Sequence, residues 1–321
     1  MNTVEHPARG EEKKLRFEDL IEDMPTPVLD PDRIETIGII GGGIMGVGIA
    51  QAASQAGIDV IISEKDDEAV ERSSRNINEN MDREIKRWGM TASEKKAILQ
   101  RIKWTTEIED IKECDIIIEA VDEDLELKRS VMKKIDSICP AETIFISNTS
   151  TLSLSKIAEG SSRRDRVIGM HFLNPVPKIP VVELVRGVQT SDETTRITKA
   201  FAKKLGKTAV EVFEYPGFIT TRVIVPFLNE AMHILMEGLA TADGIDTAMK
   251  LGYNLPIGPL ELADNMGLDE ILAWMETLWH ELGEPRYRPC PLLRKYVREG
   301  KLGKKSGEGF FKYDEHGRII S

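Results

Sequence analysis

Apolar residues come first in short unbroken runs and later at helical spacing. The runs at 37–40, 60–62, 115–119, 143–147, 167–172, 181–185 and 209–213 are rich in isoleucine and valine. Such runs mark strands buried on both faces of a largely parallel sheet. Helical periodicity lies between them, at 45–56, 67–88, 125–138 and 194–205. Thr91-Ala-Ser-Glu94 is a capping box that starts a further helix reaching about residue 101, so 67–101 predicts a helical hairpin inserted between strands. Strand–helix alternation predicts an α/β fold with a doubly wound sheet over 35–215. Pro216-Gly217 marks a boundary, and the pattern beyond it is almost wholly helical: 218–237, 241–250, 259–264, 268–281 and 292–298, closed by a glycine-rich aromatic segment at 303–313. Residues 216–321 are therefore expected to form an all-helical C-terminal domain. Residues 1–34 are expected to be an N-terminal extension, with helical spacing at 14–24.

The first two runs bracket the most informative stretch, TIGIIGGGIMGVGIAQAASQAGIDVIISE at 36–64. Gly41, Gly43 and Gly46 fit G-x-G-x-x-G between a strand and a small-residue helix. The first permits a tight turn, the second lets backbone approach a pyrophosphate, and the third lets helix and strand pack closely. Ile44 and Met45 complete the turn, where the free amides and dipole of the helix favour an anion. Glu64 ends the second strand, at the distance expected of the acid that binds a ribose 2′-hydroxyl. The unit reads as a Rossmann-like dinucleotide site, and Glu64 favours NAD over NADP because a carboxylate repels a 2′-phosphate. Lys65 beside it works against that preference.

Composition narrows the class. Apolar residues make up 41% and charged residues 30%, a globular balance, and no apolar stretch has the length of a membrane span. A net charge of −11 argues against a nucleic-acid partner. Three scattered cysteines suggest reduced thiols in a cytoplasmic protein, with no metal site. The bases near the hairpin tip, Arg83, Lys86 and Arg87, read on their own as a solvated helix face.

Dehydrogenation also needs a group that handles a hydroxyl proton. Of five histidines, only His171 sits at the end of an expected sheet strand. Glu183, on the next strand, can bind its second ring nitrogen. Spacing fits a catalytic base and a structural His–Glu pair equally. The loop Asn148-Thr-Ser-Thr-Leu follows a strand at its carboxyl end, where ligands bind in open parallel sheets.

GGGIMGVGIAQ (41–51), SNTSTL (147–152), HFLNPVP (171–177), PGFITTR (216–222), DTAMKLG (246–252), IGPLELAD (257–264) and GKKSGEGFFKY (303–313) together resemble the 3-hydroxyacyl-CoA dehydrogenase family, over about 35–313. The resemblance is nearest to the bacterial 3-hydroxybutyryl-CoA enzymes. It implies an NAD-dependent oxidoreductase interconverting (S)-3-hydroxyacyl-CoA and 3-oxoacyl-CoA, and a homodimer, and it assigns substrate binding and dimerisation to the helical domain. It further implies His171 as base, Glu183 as its orienting carboxylate, and Ser150 on the substrate oxygen. NAD contacts would be the Gly41–Gly46 turn with Glu64, Glu123, Lys128, Ser150, Asn174 and Lys305, and coenzyme A contacts would fall near Asn80 and Arg87. Two positions depart from the family. Thr221 stands where the family typically has a substrate-holding asparagine, and would share in positioning the reacting oxygen. Lys178-Ile-Pro180 replaces an apolar residue followed by Met-Lys. Both bear on the acyl pocket, where the extra room and the added cation fit an acyl group bulkier than butyryl or one carrying a distal carboxylate, and fit equally a Thr221 that with a bound water does the amide's work on 3-hydroxybutyryl-CoA itself. A same-fold enzyme for a non-CoA hydroxy acid, and a retired homologue with a binding or structural role, are the alternatives.

Overall fold

The computed structural model describes residues 29–86 and 89–320. The expected helix at 14–24 and Arg87 lie outside these residues. One eight-stranded sheet runs in the order β3-β2-β1-β4-β5-β6-β7-β8. Its strands are β1 (Thr36–Ile40), β2 (Asp59–Ser63), β3 (Ile102–Thr105), β4 (Ile116–Glu119), β5 (Ile144–Ser147), β6 (Val167–Phe172), β7 (Val181–Arg186) and β8 (Thr208–Phe213). Side chains of successive strand residues enter two apolar layers. Ile37, Ile39, Ile116, Ile118, Ile144 and Ile146 face one side, and Ile40, Ile117, Phe145 and Val185 the other. Burial on both faces is the physical reason these segments are unbroken apolar runs.

The helices of this first unit are α1 (Ile44–Gln55), α2 (Asp67–Lys86), α3 (Ala92–Gln100), α4 (Leu125–Ile138), α5 (Leu154–Ala158) and α6 (Asp192–Lys204). Thr91 and Glu94 form the expected capping box at the start of α3. Two elements escape the apolar pattern. β3 has the sequence IKWT, is an edge strand, and follows α3 directly, and its few residues carry no unbroken apolar run. The short α5 lies just beyond the polar loop at 148–152 and has too few residues to show a period. Ile34 is fully buried in the first core and Leu29 packs against it.

Chain order leaves the sheet's middle in both directions, from β1 to β2 and β3, then across to β4. The loops after β1 and β4 therefore diverge around a crevice at the carboxyl ends of the strands. One pairing breaks the parallel pattern: β6 and β7 are antiparallel, with His171 directly opposite Glu183. They are joined by residues 173–180, too few for the crossover of a dozen or more that a parallel pair requires.

The second unit packs α7 (Thr220–Met236), α8 (Ala242–Tyr253), α9 (Pro259–Met266), α10 (Leu268–Leu282) and α11 (Pro291–Arg298) around its own core, which includes Leu228, Leu260, Ile271 and Tyr287. Buried Asp264 accepts hydrogen bonds from the Phe310 and Phe311 amides (both 2.9 Å) and from the Tyr313 hydroxyl (3.0 Å), tying the chain's last turn to α9. Among the described residues no helix is long and apolar enough to cross a membrane.

Candidate functional site

The glycine turn is shaped by contacts that a side chain would prevent. Gly41 has φ +93°, and a Cβ there would press on the Ala120 carbonyl in the loop after β4. A Cβ at Gly46 would collide with the Gly41 carbonyl oxygen, so α1 can start this close to β1 only with glycine. Gly43 is the N-cap, and a Cβ there would meet open space, which leaves that face free for a ligand. The first turn of α1 has no acidic residue and no side-chain cap. Its first amides lack partners within the helix and point toward the crevice, as an anion site requires. Ile44 is 63% exposed at this point, a large apolar side chain available to cover a ligand.

A cavity of about 580 Å³ opens beside the turn, lined by Gly41, Gly43, Glu64, Lys65, Asn76 and Asp122 among others. Glu64 Oε1 accepts hydrogen bonds from the Gly42 amide (3.0 Å) and from the Ser73 hydroxyl of α2. The carboxylate is thus fixed at the rim by the turn it serves. The glycine turn, the helix start and the anchored acid fit a dinucleotide.

The loops after β4 and β5 are held by a buried ionic cluster. Lys128, with no exposed surface, has its ammonium 2.7 Å from Glu119 Oε1 and 3.4 Å from Glu123 Oε2, and it donates to the Val121 (3.3 Å) and Asn148 (3.1 Å) carbonyls. Ser147 donates to Glu119 Oε2 at 2.6 Å. Glu123 Oε1 accepts from the Thr149 hydroxyl (2.6 Å) and the Ser150 (2.9 Å) and Thr151 (3.2 Å) amides. Burial opposes ionisation of Glu123, but the Lys128 ammonium and these hydrogen bonds outweigh it and hold the carboxyl below the usual carboxylate value. The cluster fixes the loop that presents half-buried Ser150. Lys128 thereby braces the loops after β4 and β5 from within. An unpaired ammonium at a fully buried position would be prohibitively costly, so it is paired with two carboxylates.

The antiparallel pair places the second group. His171 Nδ1 lies 2.6 Å from Glu183 Oε2. Glu183 also accepts from the Ile219 (3.0 Å) and Thr220 (2.9 Å) amides at Oε1, and from the Thr220 hydroxyl (2.8 Å) at Oε2. Burial resists the charge on Glu183, but the bonds from His171 and Thr220 prevail and keep its carboxyl below the ordinary value. A carboxylate on Nδ1 fixes that nitrogen as the N–H, which leaves Nε2 with its lone pair. Gly217 (φ +76°) and Phe218 (φ +46°) take left-handed backbone in succession just before α7. That conformation costs a phenylalanine about 1–2 kcal/mol. It sets the Phe218 ring against His171, with centroids 5.6 Å apart and planes at 54°.

Other expected residues lie differently. Thr221 is buried in the first turn of α7, next to Thr220. Asn174 is exposed in the β6–β7 connection. Asn80 accepts a hydrogen bond from Arg83 at 2.6 Å on α2. The Lys305 ammonium sits 2.6 Å from Asp269 at the start of α10, in the helical unit. Lys178 is paired with Glu84 of α2 at 2.6 Å, so it is not a free cation awaiting a distal carboxylate. The sequence reading did not single out Glu119, Thr149 or Thr220. Glu119 had a signal, as an acid closing an otherwise apolar strand. Thr220 had none, because its role depends on Glu183, 37 positions away.

Comparison with known proteins matches two family models in tandem. Residues 36–215 match the 3-hydroxyacyl-CoA dehydrogenase NAD binding domain, and residues 217–313 match its C-terminal domain. A probable 3-hydroxybutyryl-CoA dehydrogenase of Bacillus subtilis is 47% identical, across 88% of this chain and 98% of its own. A 3-hydroxybutyryl-CoA dehydrogenase of Bradyrhizobium diazoefficiens is 41% identical, across 87% of this chain and 96% of its own. The crystal structure of (S)-3-hydroxybutyryl-CoA dehydrogenase from Ralstonia eutropha superposes with a TM-score of 0.80 at 46% identity, covering 88% of this chain and all of that one.

Proposed function

The chain belongs to the NAD-dependent 3-hydroxyacyl-CoA dehydrogenase family, and from that premise we propose that it interconverts (S)-3-hydroxyacyl-CoA and 3-oxoacyl-CoA with His171 as general base. The observation that carries this reading is the cross-strand pairing of His171 with Glu183, which leaves Nε2 as the proton-accepting nitrogen. In oxidation His171 takes the proton of the C3 hydroxyl, and Glu183 stabilises the imidazolium that forms. Ser150 holds the reacting oxygen from the loop braced by Glu123, and Thr221 shares in positioning it. NAD, held by the Gly41–Gly46 turn, the α1 amides and Glu64, supplies the hydride acceptor. Asn174, in the β6–β7 connection, is assigned to the same NAD site.

Asn80, with Arg83 beside it, supports a coenzyme A site on the helical hairpin, where guanidinium groups suit phosphates. The division of the chain into 1–34, 35–215 and 216–321 belongs to the same reading, as does a homodimer formed by the helical domain. Val223 (67% exposed) on α7 and Leu251 (82%) and Tyr253 (74%) on α8 support an interface there.

His171→Gln tests the assignment. The expected result is a fall in kcat of about 10²–10⁴-fold with acetoacetyl-CoA, while the Kd for NADH changes little, because the side chain serves the substrate oxygen. A variant with near-normal kcat overturns it. The same assay, run with acetoacetyl-CoA and with free acetoacetate, separates a CoA substrate from a free hydroxy acid, and inactivity on both identifies a retired homologue.

A further inference from the structure

We propose that Thr220 is a positioning residue that holds down the proton affinity of the His171–Glu183 pair, by occupying the same carboxylate oxygen that His171 uses. This rests on the reading of His171 as the base. Glu183 has two oxygens, and both are doubly engaged. Oε1 takes the Ile219 and Thr220 amides, while Oε2 takes His171 Nδ1 at 2.6 Å and the Thr220 hydroxyl at 2.8 Å. The two amides orient the carboxylate and are available to any residue at those positions. The hydroxyl is different, since only a residue with a side-chain donor can compete with the imidazole for Oε2. A donor on Oε2 draws off charge that would otherwise stabilise an imidazolium, so the pair releases its proton more readily than an undivided carboxylate would allow.

Charged groups on the elements around the pair are committed elsewhere, among them Arg186 of β7, which pairs with Asp192 and with Glu211 of β8. Glu123, behind Ser150, is bonded to the 149–151 loop and Lys128. Arg222 of α7 donates to the Tyr287 hydroxyl at 3.3 Å and lies over the Tyr215 ring. Lys207, at the turn into β8, donates to the Val176 and Ile179 carbonyls. Lys178 pairs with Glu84. On β8 the residue opposite Glu183 is Val210. Thr220 is therefore the group placed to adjust the pair without adding a charge. Its effect has a direction: it keeps His171 competent as a base at lower pH, which favours oxidation of the hydroxyacyl substrate near neutrality.

Thr220→Val keeps the shape, the branching and the backbone amide while deleting the donor, and Thr220→Ser keeps the donor. Two measurements are made on both variants and the unmodified enzyme. One is the pH profile of kcat/KM for 3-hydroxybutyryl-CoA oxidation, and the other is the low-field proton resonance of His171 Nδ1–H, assigned by its loss in His171→Gln. The valine variant is expected to move the profile midpoint up by about one pH unit and the resonance further downfield, with the serine variant returning both. A purely structural Thr220 would lower Tm in the valine variant and leave midpoint and resonance in place, which overturns the proposal. The resonance reads the contact whether or not the pair acts as the base. If His171→Gln keeps its activity, the base assignment fails and takes the kinetic consequence with it. If His171→Gln is inactive and Thr220→Val shifts neither measurement, Thr220 alone is overturned.

Discussion

Thr221 sits one residue beyond the hydroxyl that serves Glu183, 3% exposed in the first turn of α7. An asparagine there would reach further and offer both a donor and an acceptor, whereas threonine offers a shorter hydroxyl and leaves room beside the reacting carbon. Because Lys178 is taken up by Glu84, that room favours a bulkier apolar acyl group over one with a distal carboxylate. Thr221→Asn should therefore raise kcat/KM for acetoacetyl-CoA by roughly two- to tenfold, the value of one regained hydrogen bond of about 0.5–1.5 kcal/mol. It should lower kcat/KM for longer 3-oxoacyl-CoA substrates. Parallel changes across a chain-length series would show that Thr221 does not set the acyl preference.

Among the elements, the connection from β4 into α4 carries a buried ionic cluster. Glu119 ends β4 with no exposed surface, and Lys128, one turn into α4, reaches back to it. Removing the cation leaves a buried carboxylate without its partner, which typically costs about 3–5 kcal/mol. Lys128→Met should show a loss of that size in urea denaturation. The NADH Kd should also weaken, because the loop bearing Ser150 is held by Glu123, which Lys128 helps to fix. A stable variant with weakened NADH binding would instead place Lys128 in direct contact with the cofactor. The sequence showed this element's strand and helix but not the cluster between them, since ion pairing across 9 positions depends on how the loop turns back.

At the scale of the whole molecule, the helical unit is closed by one buried acid. Burial pushes the Asp264 carboxyl up to about 6, against the pull of the Phe310 and Phe311 amides and the Tyr313 hydroxyl. In an unfolded chain an aspartate ionises near pH 4 (about 3.9). Between those values the folded protein holds a proton that the unfolded chain has lost, so this group's contribution to stability falls as pH rises through the window. Asp264→Asn removes the titration and replaces one of the two oxygens that the Phe310 and Phe311 amides use, leaving one buried amide without its acceptor, a loss of about 1–3 kcal/mol. Denaturation of both proteins at about pH 5 and pH 7 should show the variant less stable at each, by a smaller margin at the higher pH. A margin that widens instead would mean that the hydrogen bonds, and not burial, govern Asp264.

The sequence by itself determined what depends on local order and period. Apolar runs specified buried strands, the glycine spacing specified a turn at which α1 approaches β1, and Thr91 with Glu94 specified the start of α3, because each signal acts within a few residues. It also brought out His171 and Glu183 as a pair at strand ends, without deciding whether that pair is catalytic or structural. Only the tertiary structure decided the pair's geometry. Eight residues between β6 and β7 force an antiparallel turn, and that register sets imidazole and carboxylate face to face. Tertiary packing likewise made Lys128 a buried brace, drew Lys305 to Asp269 and Lys178 to Glu84, and brought the Thr220 hydroxyl onto Glu183. A long side chain can reach several partners, and which it takes is decided by the three-dimensional path of the chain.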